Sequence, residues 1–154
     1  MKIELKNIKH MAALSEETHC FTASLYINGK RRGEVSNRGC GGCDEYTDPT
    51  AEDEINAYCK TLPQRESFGH WFDQDAETLI CELVNDHLAR KQLQTKLRAA
   101  VLTVEDGKIW QYQRAGVPRG QLIEHLERKG AQVLNVLPFD SAFSLYVKTA
   151  EIAA

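Results

Sequence analysis

Apolar and polar positions alternate most cleanly between residues 20 and 27. Phe21, Ala23, Leu25 and Ile27 fall on one side, Cys20, Thr22, Ser24 and Tyr26 on the other. A period of two predicts a half-buried strand. Asn28-Gly29 follows, the pair that supplies the positive φ angles of a tight hairpin, so Lys30 to Asn37 is expected to return as a strand with Val35 inward. Before it, Ile3, Leu5 and Ile8 separated by Lys2, Glu4 and Lys6 read as a first strand. The glycine-rich stretch from Asn37 to Cys43 is expected to be a loop.

The period then changes. Asp48-Pro49 carries the signature of a helix start, and Ile55, Tyr58, Cys59 and Leu62 recur at helical spacing until Pro63 stops the run. An aromatic group follows, Phe68, Trp71 and Phe72, placed either in a core or at an interface. Asp73 or Asp75 should cap a long second helix with Ala76, Leu79, Ile80, Leu83, Val84, His87 and Leu88 along one stripe, reaching about residue 98. Val101 to Val104 and Ile109 to Tyr112 flank Asp106-Gly107, a second hairpin signal. Pro118 should open a third helix with Leu122, Ile123 and Leu126 inward, closed by Gly130. Gln132 to Leu137 and Ala142 to Lys148 are expected to be the last two strands. The expected order is βββ-αα-ββαββ: an α+β fold in one domain over residues 1–154, with an antiparallel or mixed sheet and about three helices packed on it.

Length and composition agree with that picture. The chain has 154 residues, 42% hydrophobic and 27% charged, enough to bury a core without staples. A net charge of −3 with this apolar content excludes intrinsic disorder. No apolar run approaches a membrane span, and the alternating N-terminus has no signal-peptide core, so the expectation is a cytoplasmic protein. Five cysteines, an odd number in such a context, argue against a disulfide framework.

Charge is distributed unevenly. Residues 1–40 carry a net of +3, residues 41–86 a net of −10 and residues 87–154 a net of +4. Within the acidic middle, Asp44, Glu45, Asp73, Asp75, Glu82 and Asp86 are candidates for binding a partner with a basic surface. Glu82 and Asp86 form an i,i+4 like-charge pair, which slightly destabilises a helix and fits a docking face. The competing account is that helix starts prefer acids because the helix dipole is positive there, which explains Asp73 and Asp75.

Other constellations are sparser. Cys40 and Cys43 on a glycine turn have the spacing of half a zinc site, but no second close pair completes it. A redox role fits less well, since such motifs open a helix after a parallel strand. Lys30, Arg31, Arg32 and Arg38 cluster around the first hairpin, where a glycine loop and guanidinium groups could meet phosphate. No phosphate-loop motif accompanies them, and the overall charge disfavours a dedicated nucleic-acid binder. No serine-hydrolase elbow, zinc-protease helix or paired-carboxylate spacing is present. Asp86 and His87 are adjacent on a helix and do not face each other. No local arrangement points to an enzyme.

The segment Leu14-Ser15-Glu16-Glu17-Thr18, with Phe21-Thr22-Ala23, Tyr26-Ile27-Asn28-Gly29-Lys30 and the Gly-Gly-Cys turn at 41–43, resembles the start of uncharacterised small proteins of bacteriophages and other bacterial mobile elements. The resemblance covers roughly the first third of the chain and rests on hairpin and turn chemistry. It implies a bacterial, cytoplasmic accessory protein that binds host machinery. Inhibitors of CRISPR and other defence complexes are one such group, an analogy of genomic context. The expectation is a protein-binding inhibitor without cofactor. The alternatives are a zinc-stabilised module at Cys40 and Cys43, or a nucleic-acid contact through Lys30 to Arg32.

Overall fold

The computed structural model describes residues 1–67 and 69–152. It forms two compact units, Met1–His87 and the part from Leu88 onward.

In the first unit, β1 (Ile3–His10), β2 (Cys20–Ile27), β3 (Lys30–Arg38) and the short β4 (Glu45–Tyr46) form an antiparallel sheet in sequence order. Asn28 and Gly29 take φ values of 50° and 79°, so the expected hairpin turn forms. The alternation in β2 becomes burial: Phe21, Ala23, Leu25 and Ile27 are inside, and Val35 from β3 joins them. Helix α1 (Pro49–Cys59) starts as expected, with the Asp48 carboxylate accepting from the Thr50 N–H. It ends before Leu62, because the residue ahead of Pro63 is held out of helical conformation. Its inward positions are Ala51, Ile55 and Cys59.

Around the expected aromatic group of Phe68, Trp71 and Phe72, β5 (Arg65–Ser67) and β6 (His70–Phe72) pair as a two-stranded antiparallel ladder. Trp71 and Phe72 are 64% and 54% exposed, so neither is core, and Phe68 lies outside the described residues. Helix α2 (Ala76–Ala99) is capped by the Asp75 carboxylate, which accepts from the Thr78 N–H. Its stripe buries Ala76, Ile80 and Val84 in the first unit and Leu93 in the second.

In the second unit, β7 (Val101–Glu105) lies between β8 (Lys108–Tyr112) and β9 (Gln132–Val133), all antiparallel. Asp106 and Gly107 provide the positive φ angles of the turn. Alternate residues of the strands serve opposite faces. Leu102, Val104 and Ile109 pack with Leu93 and with Ala142, Phe143 and Tyr146. Val101 and Tyr112 pack with Leu122, Ile123 and Leu126 of α3 (Arg119–Arg128). Gly130, at φ 81°, closes α3 as expected.

Two expected strands are corrected. Residues 142–148 belong to a fourth helix, α4 (Phe139–Ile152). Phe143, Leu145 and Val147 do alternate, but Ala142, Phe143, Tyr146 and Thr149 are the residues buried, a helical stripe. Pro138 ahead of it and Asp140 in its first turn are helix-start signals. The strand expected over 132–137 stops after Val133, and Leu134–Val136 turn into a 3-10 helix. That turn brings Asn135 to the end of α2. Its amide donates to the carbonyls of Leu97 and Ala100, both at 3.0 Å, while its carbonyl accepts from the Leu102 N–H at 2.7 Å. The Arg119 guanidinium donates to the Leu97, Arg98 and Ala100 carbonyls. Carbonyls that a helix end leaves without partners are thereby satisfied. The α+β class stands, with four helices among the described residues and every described strand pairing antiparallel.

Candidate functional site

The first unit contains a cleft of about 640 Å³. Its walls are the loop from Ser15 to His19, Asn37 near the end of β3, Asp44 just ahead of β4, and the capping Asp75 with the first turns of α2 as far as Val84. Six carboxylates line it: Glu16, Glu17, Asp44, Asp75, Glu77 and Glu82.

The loop is held by one carbonyl. Gly39 O accepts from the N–H groups of Glu16, Glu17 and Thr18 at 2.9, 3.0 and 3.3 Å. Gly39 has φ 87°, and a Cβ there would lie 2.2 Å from the Leu14 carbonyl oxygen, so only glycine fits. The floor is organised by Asn37, which is buried. Its carbonyl oxygen accepts from the Thr18 hydroxyl at 2.8 Å and the Gly39 N–H at 2.9 Å. Its amide donates to Gly42 O at 2.8 Å and to the Asp44 carboxylate at 3.0 Å. All of its bonding capacity is used, which sets the loops rigidly.

The carboxylates differ in how far they are compensated. Glu82 pairs with Arg65 from β5. Asp75 caps α2. Asp44 accepts from Asn37, yet burial holds its carboxyl above the ordinary range, and Glu77 and Glu52 push the same way against that hydrogen bond. The side chains of Glu16, Glu17 and Glu77 have no hydrogen bond or ion pair among the described residues.

Of the six acidic residues expected to bind a partner, Asp44, Asp75 and Glu82 converge here. Three others stand apart. Glu45 pairs with Arg38 at 3.0 Å, Asp73 accepts from Gln64 at 2.8 Å, and Asp86 does not line the cleft. Sequence reasoning missed Glu16, Glu17 and Glu77 as cleft residues. Glu16-Glu17 sit in the segment whose net charge is positive, which hid them.

The basic hairpin is largely neutralised within the chain. Arg32 pairs with Asp48 and Glu54, Arg31 with Glu34, and Arg38 with Glu45; Lys30 alone of the four has no side-chain partner among the described residues. Cys40 and Cys43 are exposed free thiols on the glycine turn. No group of three or more His, Cys, Asp or Glu is placed to hold a metal among the described residues.

Two groups in the cleft carry potential acid–base or nucleophilic chemistry. His19 Nε2 lies 2.7 Å from the Asn85 side-chain oxygen, and the Asn85 amide donates to Cys81 Sγ at 3.5 Å. The amide, not the imidazole, therefore contacts the thiol. Burial, with Asp44 adding to it, pushes the Cys81 thiol above its usual range, so it stays protonated and poorly nucleophilic. Six carboxylates in the walls oppose any developing oxyanion. What the cleft does readily is attract cations. Comparison with protein-family models, curated proteins and solved structures gives no match to this chain.

Proposed function

We propose that this protein binds another protein through the acidic cleft of its first unit, taking up a Lys/Arg-rich segment of a nucleic-acid-binding host complex and inhibiting that complex by occupying the surface. The observation that carries this reading is the convergence of six carboxylates on one cleft, with Glu16, Glu17 and Glu77 left without intramolecular side-chain partners among the described residues. Concave walls of one sign focus the field and steer an oppositely charged partner into place. A protein surface shaped for phosphates presents guanidinium and ammonium groups, and carboxylates meet both; arginine does so bidentately. The resemblance of the first third to small mobile-element proteins supports bacterial host machinery as the pool of partners.

The test is capture from a nuclease-treated bacterial lysate on immobilised protein, read by mass spectrometry. The parallel bait is the triple variant Glu16→Gln, Glu17→Gln, Glu77→Gln, which removes three charges without touching Asn37 or the cap at Asp75. A stoichiometric basic partner held by the native chain, and lost or at least tenfold depleted on the variant, is expected. That is about 1.4 kcal/mol, within reach of three weakened charge contacts. A partner retained equally by both baits removes the cleft from the interface.

A further inference from the structure

The second unit carries the opposite charge. From Leu88 to the end of the chain there are ten Lys/Arg and six Asp/Glu. On the outer strand β8, Lys108, Trp110 and Tyr112 are spaced by two in an unbroken register with β7, so their side chains share one face. Successive side chains on that face are roughly 6.8 Å apart. Trp110 is 51% exposed there, a large aromatic surface on an edge strand. Tyr112 next to it lines a cleft of about 400 Å³ together with Arg98, Gln113, Arg114 and Arg119, and no Asp or Glu lines that cleft. Arg119 is committed to the carbonyls at the end of α2. Arg98 and Arg114 are exposed and have no side-chain partner among the described residues. A neighbouring cleft of about 650 Å³ shares Tyr112, Gln113, Arg114 and Leu122 and adds His125 and Lys129, with Glu105 and Asp106 at its hairpin end. The Glu105 carboxylate there is engaged by the Thr103 and Tyr112 hydroxyls.

We propose that this face binds single-stranded nucleic acid, with a base stacked on Trp110 and the adjoining phosphates held by Arg114 and Arg98. An exposed aromatic interleaved with unpaired cations is the arrangement that single strands use: the ring takes any base face and the cations track the backbone. An acid-free cleft with two free guanidinium groups selects a phosphodiester, which each can meet with two hydrogen bonds. The ring beside it distinguishes a base-bearing strand from a bare polyanion.

The experiment titrates the full chain with fluorescein-labelled dT20 and U20 at about 20 mM salt, followed by anisotropy and by tryptophan emission. Trp71→Phe makes Trp110 the sole tryptophan reporter. Binding with quenching of Trp110 is expected for both oligonucleotides. Trp110→Ala should weaken it about 5- to 150-fold, the range of one stacked base. Arg98→Ala with Arg114→Ala should flatten the dependence of log K on log salt by about 0.7 for each phosphate no longer neutralised. Thermal melting of each variant separates loss of binding from loss of fold, and Trp110→Phe, which keeps a ring, should retain part of the affinity. Absence of binding overturns the proposal. So does quenching-free binding that inorganic polyphosphate competes away fully, or binding abolished by Lys30→Ala and Arg31→Ala but indifferent to Trp110. The outcome is independent of the cleft in the first unit.

Discussion

The two units solve the same problem with opposite results. Each places an asparagine side chain at the junction of several segments and satisfies it there. In the first unit Asn37 ties loops together, and the product is an open cleft walled by carboxylates. In the second, Asn135 closes the end of α2 onto the sheet. Charge follows the same division: residues 1–87 hold nine Lys/Arg and sixteen Asp/Glu, a net of −7, against +4 beyond them. A polar hub among loops leaves functional groups facing outward; a polar hub at a helix end is spent on the fold. The difference teaches where to look for binding, since loops held by side chains can carry charges that regular elements would have to pair or solvate.

The largest effect should come from Gly39. Replacement by alanine sets a Cβ 2.2 Å from the Leu14 carbonyl and 2.8 Å from the Cys20 side chain, in a left-handed conformation. The cost should be about 3 kcal/mol or more, from strain and clash together. Gly42, three residues on, has nothing within 4 Å of its would-be Cβ, so Gly42→Ala should change stability by under about 0.5 kcal/mol. Urea denaturation followed at Trp71, in a Trp110→Phe background, reads the first unit. Equal tolerance at both glycines would mean that the carbonyl of Gly39 does not organise the cleft.

Asn135→Ala comes next. It strands the Leu102 N–H and removes two of the bonds to the last carbonyls of α2, so a loss of about 2 kcal/mol is expected. The loss should also be localised. Hydrogen exchange should speed up in β7 and α4 while the Ser15–His19 loop keeps its protection. Loss spread evenly over both units would mean that they unfold as one and that the contrast between the two hubs has no energetic content.

Much of the fold is legible in the sequence, and for definite reasons. Asn28-Gly29 and Asp106-Gly107 announce their turns because few residue pairs tolerate two positive φ angles. Asp48 and Gly130 mark helix ends by the same kind of local chemistry. The α4 segment reads as a strand because an apolar run that includes Phe143, Leu145, Tyr146 and Val147 satisfies periods of two and 3.6 at once, and tertiary burial decides between them. β5 and β6 are three residues each, too short to leave a pattern. The cleft is half legible. Asp75 and Glu82 stand out on a helix, whereas Glu16 and Glu17 become part of the site only because Gly39, more than twenty residues away, accepts their N–H groups. Long-range hydrogen bonding of that kind leaves no local trace.

The smallest effect is the most discriminating one for the first unit. Asp44 is held above the ordinary carboxyl range, first by burial and then by Glu77 and Glu52. The folded state therefore binds its proton more tightly than the unfolded chain does. By linkage, this residue's contribution to stability falls as pH rises from about 4 through the raised native value, and the penalty persists at neutral pH. A neutral amide in its place would still offer Asn37 an acceptor oxygen while carrying no charge. Asp44→Asn should thus raise Tm at pH 7, and the advantage should shrink towards nothing at about pH 3, below the ordinary carboxyl range, where the charge is lost in both states. Paired melting curves across that range decide it. A variant less stable than the native chain at every pH would mean that the carboxylate holds the floor together, and the first unit would then spend its charge on the fold just as the second spends its asparagine.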